Sequence, residues 1–128
     1  MGKLELQQCV LGPVYTNCYI AKNKETGEAL IIDPADSPSK IELKVNAMGA
    51  RPVAVLLTHG HFDHIMGVEA VREKYQIPVY ACRQEEEMLR EPSVNMTDQM
   101  GKSCSIRPDV FLDDLQVFEA AGFFIQMI

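Results

Sequence analysis

The chain has no apolar run that could cross a bilayer. Its longest, Val53 to Leu57, is five residues, where a spanning helix needs roughly 20. Clusters of lysine and arginine are missing too, and the formal net charge is −6. Phosphate backbones are held by such clusters, so this balance argues against nonspecific nucleic-acid binding. No long apolar h-region follows Met1-Gly2-Lys3-Leu4, and Leu6 stands where a myristoylation site prefers serine or threonine. The expectation is a cytoplasmic protein without a membrane partner. The four cysteines, Cys9, Cys18, Cys82 and Cys104, form no C-x-x-C pair. In a chain with no visible export signal they read as reduced thiols, mostly buried, rather than as a disulfide framework. There is no internal repeat, low-complexity tract or linker. Histidine is scarce: three residues, all between positions 59 and 64.

What is present is an ordinary globular composition. Of the 128 residues, 47% are apolar and 23% charged, enough for one domain with a real core and too apolar for disorder. Strand signals come first: Leu4 to Val10, broken by Gly12-Pro13, then Thr16 to Lys22, a polar turn ending at Gly27, and the continuously apolar Ala29 to Ile32. A run without alternation predicts a strand covered on both faces. Ser37-Pro38 is a helix start, Ile41, Val45 and Met48 recur at helical spacing, and Gly49 is a stop. Val53 to Leu57 is the clearest strand, and the histidines follow it directly. Ile65, Val68, Val71 and Tyr75 mark the next helix. After it come a strand at Val79 to Ala81, a short charged helix from Gln84 to Arg90, and a loop from Ser93 to Pro108. Strands are expected at Val110 to Leu112, Leu115 to Phe118 and Phe123 to Ile128. Hairpins followed by alternating strands and helices predict an α/β (α+β) fold, a mixed sheet with helices on at least one face. The histidines then sit at the C-terminal end of a buried strand, where such sheets place ligand sites.

The segment His59-Gly60-His61-Phe62-Asp63-His64 gathers four potential metal ligands in six residues. Imidazole nitrogen and carboxylate oxygen both suit zinc and iron. In extended chain, residues two apart point the same way, so His59 and His61 can reach one ion together. A turn into the following helix redirects Asp63 and His64 to a neighbouring position. Near a helix N-terminus the positive dipole disfavours imidazolium at His64, and a ligating imidazole must be neutral. The blander reading is that Asp63 caps the helix and the histidines are solvated.

His-x-His-x-Asp-His is the signature of the metallo-β-lactamase superfamily, and Thr58 through Gly67 resembles its glyoxalase II-type (hydroxyacylglutathione hydrolase-like) branch. Gly12-Pro13, Asn17-Cys18-Tyr19 and Ile31-Ile32-Asp33-Pro34 resemble that branch's opening hairpin and Asp-Pro turn. The resemblance implies residues 1–128 are the N-terminal half of an αββα sandwich, truncated before the C-terminal metal ligands. It implies that His59 and His61 belong to a first metal position and Asp63 and His64 to a second. Asp33 is implied to support the site; an aspartate that merely starts a turn explains it equally well. Met66 departs from the glycine many relatives carry there.

The implied chemistry is metal-assisted hydrolysis of a small thioester or ester, with one or two zinc ions lowering the pKa of bound water to about 7. Asp63 is the implied catalytic residue, orienting that water or taking its proton. A second reading is an iron enzyme of the persulfide dioxygenase type, with two histidines and a carboxylate. A third is non-enzymatic: an inactive truncated fragment, or one part of a split protein. The uncharged, β-prone Phe123 to Ile128 segment is expected to promote self-association.

Overall fold

The computed structural model describes residues 4–11, 16–34, 38–58, 67–91 and 106–126. Six strands form one sheet in sequence order: β1 (Leu4–Leu11), β2 (Thr16–Asn23), β3 (Glu28–Ile32), β4 (Arg51–Leu57), β5 (Val79–Cys82) and β6 (Val110–Leu112). β1, β2 and β3 run antiparallel as neighbours, while β3 through β6 are parallel. Parallel neighbours need crossovers. Helix α1 (Pro38–Met48) joins β3 to β4, α2 (Val68–Tyr75) precedes β5, and a 3-10 turn (Arg83–Glu85) running into α3 (Glu86–Arg90) precedes β6. The mixed sheet expected from the order of signals is the one observed.

Burial explains the layering. Ile41, Val45 and Met48 of α1, Val68 and Val71 of α2 and Leu89 of α3 share one core with Ile20, Ile31, Val55, Leu57, Val79 and Ala81 of the sheet. All three helices therefore cover one face. Ala21, Leu30 and Ala54 alternate with those strand residues and point to the opposite face. There they meet a second, two-stranded sheet, β7 (Val117–Ala120) paired antiparallel with β8 (Phe123–Gln126). The hairpin packs Phe123, Ile125 and Ala120 against them, and Tyr80 stacks on Phe118 with ring centroids 5.2 Å apart. The apolar Ala29–Ile32 run is covered on both faces because it lies between these two layers.

Strand β7 begins two residues later than the sequence suggests. Leu115, expected in the strand, has φ +64°. It lies in a turn closed by the Gln116 N–H on the Asp113 carbonyl (3.1 Å) and the Asp113 N–H on Gln116 Oε1 (2.8 Å). Local hydrogen bonding at the aspartate pair outcompetes the β-propensity of the residues after it. At the other end the turn residues Ala121 and Gly122 both have positive φ, +54° and +78°, which matches the right-handed twist of a two-residue hairpin. The side chain of Asn23, 2% exposed, donates from Nδ2 to the Ala121 carbonyl (3.0 Å) and accepts from the Glu25 N–H (3.0 Å). One buried amide thus ties the first hairpin of the chain to the last.

On β1 the apolar Leu4 and Leu6, opposite Asn23 and Ala21, are 50% and 54% exposed. Cys18 is buried and Cys82 half-buried. Among the described residues no helix is long and apolar enough to cross a membrane.

Candidate functional site

Four parallel strands end at the same edge of the sheet. Their register sets Ile32 beside Leu56, Leu57 beside Ala81 and Cys82 beside Leu112. The residues that follow, Asp33, Thr58, Arg83 and Asp113, therefore emerge along one rim. Strand β4 is buried along most of its length. A packed strand delivers Thr58 to that rim in a fixed place.

Asp33 is the organising residue of the described part of the site. It is 5% exposed and has φ +53°, a left-handed conformation that aspartate tolerates better than most side chains. Its N–H donates to the Leu56 carbonyl (3.0 Å), which extends the β3–β4 ladder by one bond. The backbone turn then aims the carboxylate back at β4. Asp33 Oδ1 accepts from the Thr58 N–H at 2.8 Å, and Oδ2 accepts from the Thr58 hydroxyl. A buried carboxylate needs such donors, and bonds to a charged acceptor are the stronger kind. Next along the chain, the Pro34 carbonyl accepts from the Gly67 N–H at 2.8 Å. Gly67 is itself buried and caps α2.

Two consecutive residues, Asp33 and Pro34, thus hold the last residue before the 59–66 segment and the first one after it. Asp33 turns the chain and its carboxylate accepts from Thr58, the residue before that segment. His59, His61, Asp63 and His64 lie outside the described residues, as do Met66, Cys104 and the Gly12-Pro13 break. Among the described residues no three His, Cys, Asp or Glu side chains gather as metal ligands. Reading the residues did not single out the Thr58 hydroxyl, the Pro34 carbonyl or the Gly67 N–H. A hydroxyl residue between a buried strand and a ligand-rich segment was the only available signal.

A family model of the metallo-beta-lactamase superfamily matches residues 11–127, and the chain belongs to that superfamily. It is 40% identical over 85 residues to the probable metallo-hydrolase YqgX of Bacillus subtilis, covering 66% of this chain and 39% of that protein. Among solved structures it is similar to the BLEG-1 B3 metallo-beta-lactamase, with TM-score 0.85 and 33% identity over 95% of this chain and 59% of that one. It is also similar to TTHA1623 in a di-iron-bound form, with TM-score 0.72 and 27% identity over 86% of this chain and 55% of that one. The chain therefore spans about two-fifths of YqgX and under two-thirds of either solved chain.

Proposed function

We propose that this chain carries metal-binding residues of a metal-dependent hydrolase acting on a small thioester or ester, in the manner of glyoxalase II-like proteins. The observation that carries the reading is the double clamp: Thr58 on the Asp33 carboxylate and Gly67 on the Pro34 carbonyl. Precise support of the chain on both sides of a ligand cluster is what a metal site requires, since misoriented ligands lose affinity.

The donor set of the 59–64 segment fits a first-row divalent ion: three imidazoles and one carboxylate, nitrogen and oxygen ligands that zinc and iron both accept. His59 and His61 would hold one ion, and Asp63 and His64 a second. A bound ion supplies a Lewis acid for the carbonyl and lowers the pKa of attacking water. Asp63 is the group of this chain that orients that water and holds its proton. Asp33 holds the end of β4 through the Leu56 carbonyl and through Thr58, the residue before His59 in sequence.

Zinc is the first reading because it matches a hydrolase, and the likeness to a di-iron-bound structure supports iron as the second reading, with persulfide oxidation as the matching activity. The test loads the purified chain with zinc or iron, measures metal content, and assays thioester hydrolysis alongside persulfide-dependent oxygen uptake. Hydrolysis with either ion that is lost in His61→Ala supports the proposal. Oxygen uptake with iron and no hydrolysis favours the second reading. Neither activity, with no metal retained, overturns both for this chain.

A further inference from the structure

Strand register sets two of the four cysteines opposite each other. Cys9 of β1 and Cys18 of β2 are direct Cα partners in the antiparallel pair. Directly opposed residues belong to the same face of a sheet. Cys18 lies in the core that the sheet shares with the three helices, and it is 0% exposed. The register position of Cys9 is therefore on that helix-covered face as well. Pairing of β2 with β3 ends at Tyr19 and Ile32, one residue short of Cys18. The two cysteines thus stand level with Asp33, where β3 no longer supports β2.

The spacing of the register suits a covalent link. Opposed residues of an antiparallel pair have Cα atoms about 4.5 Å apart, or about 5.5 Å where the pair is hydrogen-bonded. A disulfide spans about 4.4–6.8 Å between Cα atoms, so either kind of pair is within reach. The usual Cβ separation of a disulfide, about 3.5–4.5 Å, meets the roughly 4.5–5.5 Å of opposed residues at its upper end. A bridge needs a small approach of the two strands and no change of register. Cys82 is no rival for Cys18. It lies on β5, three strands from β2, which is roughly 14 Å at the usual strand spacing and beyond the limit of about 7 Å for a bridge. It also packs with Leu56 and Leu112 on the opposite face of the sheet.

We propose that Cys9 and Cys18 form a thiol–disulfide exchange site, with small-molecule disulfides as its substrate class. The Cys9 thiolate attacks one sulfur of the incoming disulfide and bonds to it, and one small thiolate leaves. Cys18 then gives up its proton and attacks the Cys9 sulfur. The Cys9–Cys18 bond forms, and the second small thiolate leaves. In sum two protein thiols lose two electrons and two protons, and the small disulfide takes them up and departs as two thiols. Burial assigns the order. A sulfur in a residue that is 0% exposed is out of reach of a dissolved disulfide, so the first attack falls to Cys9 and Cys18 is the resolving thiol. Excess small thiol runs the same steps backwards. One conditional bridge of this kind is not a disulfide framework, since both cysteines remain thiols under reducing conditions. When closed, it fixes the β1–β2 hairpin at the level of Asp33.

The experiment exposes the folded 128-residue chain to excess glutathione disulfide, blocks the remaining thiols with N-ethylmaleimide and maps the peptides by mass spectrometry. A parallel sample is treated in urea. The expected result in native buffer is the loss of two of the four thiols, with Cys9–Cys18 as the linked pair, reopened by dithiothreitol. In urea the cysteines are expected to give mixed pairings. Cys18→Ala is expected to stop with glutathione held on Cys9, and Cys9→Ala to leave Cys18 unmodified, with circular dichroism confirming that each variant is folded. The wild-type map decides without the variants. Four thiols surviving native exchange overturn the proposal. So does a linked pair that contains Cys82 or Cys104, or a native pattern that matches the one in urea. Glutathione on Cys18 of folded Cys9→Ala overturns the assigned order of attack.

Discussion

Removing the Thr58 hydroxyl isolates one half of the clamp that holds the candidate metal segment. Thr58→Val keeps the shape and the β-branch, and it keeps the backbone N–H bond to Asp33 Oδ1 at 2.8 Å. It deletes the hydroxyl donated to Oδ2, leaving one oxygen of a carboxylate that is 5% exposed without that donor. A hydrogen bond to a charged group contributes about 1.5–3 kcal/mol net. Because Thr58 itself is exposed, water can replace part of the loss, so about 1.5 kcal/mol is expected. In a domain of this size that lowers Tm by roughly 5 °C. The more telling readout is metal affinity, because groups that orient ligands typically change it 10–100-fold when lost, by the usual range of about one to two orders of magnitude. Asp33→Asn is the partner variant. Asparagine adopts positive φ readily and retains one acceptor, so its loss should fall between those of Thr58→Val and Asp33→Ala, where alanine at φ +53° adds backbone strain. Calorimetric melting and zinc titration on all three variants check the series. If Thr58→Val melts with the wild type and binds zinc equally well, the clamp does not position the segment and the argument for Asp33 fails.

Three further outcomes follow from the same structure. Asn23→Ala removes a 2% exposed amide and strands the Ala121 carbonyl it serves. It should cost about 1–3 kcal/mol in urea unfolding, and an unchanged midpoint would show that the tie carries no stability. Tyr75→Phe should be neutral or stabilising, because the Tyr75 hydroxyl is buried and makes no hydrogen bond among the described residues. Desolvation, then the charge of Glu42, raises the Tyr75 pKa above its ordinary value despite the opposing pull of Lys74. Folding therefore favours the neutral phenol: that contribution is complete below about pH 10 and is lost as the pH rises through the raised folded value. Alkaline titration of stability should show this loss in the wild type and not in Tyr75→Phe. Lastly, the 128-residue chain alone should bind zinc more weakly than closed four-ligand structural sites, because its four candidate ligands divide between two positions. Isothermal titration giving tight binding of two ions per chain would refute that division.

Legibility in this sequence followed the range of the interactions. Helix α1 could be read residue by residue because its Pro38 start, its Ile41-Val45-Met48 stripe and its Gly49 stop all lie within a dozen positions, and those three apolar residues are the ones buried. Strand β4 could be read because continuous burial leaves a continuous apolar run. Strand β7 was displaced in the reading because two local signals competed. Leu115 and Gln116 sit in a β-prone run, yet the hydrogen bonds closing the Asp113–Gln116 turn hold them out of the strand. Asp33 shows a different limit. Locally the residue reads as a turn aspartate, and its bond to Thr58, 25 residues on, is a contact that no local pattern shows.

Asn23 marks the far end of that scale. As a residue beside a polar turn it reads as turn chemistry, and its bond to the Glu25 N–H fits that description. Its second bond crosses 98 residues to Ala121, a separation for which no spacing rule exists. The counterpart at the other end is Gly122. It reads as a hairpin glycine because its φ of +78° suits few other residues. A Cβ there would also come within 2.6 Å of Asn23 Nδ2, closer than real contacts allow, and that nitrogen is fixed by its bond. The glycine is therefore required twice, once by its own backbone and once by a side chain from the opposite end of the chain. Gly122→Ala should cost more than the roughly 1 kcal/mol of a positive-φ alanine in wild type, and only about that much when Asn23 is already alanine. A double-mutant cycle by urea unfolding measures the difference. Strict additivity of the two substitutions would mean that the hairpin can shift away from Asn23 at no cost. The packing of the second sheet on the first would then owe nothing to this contact.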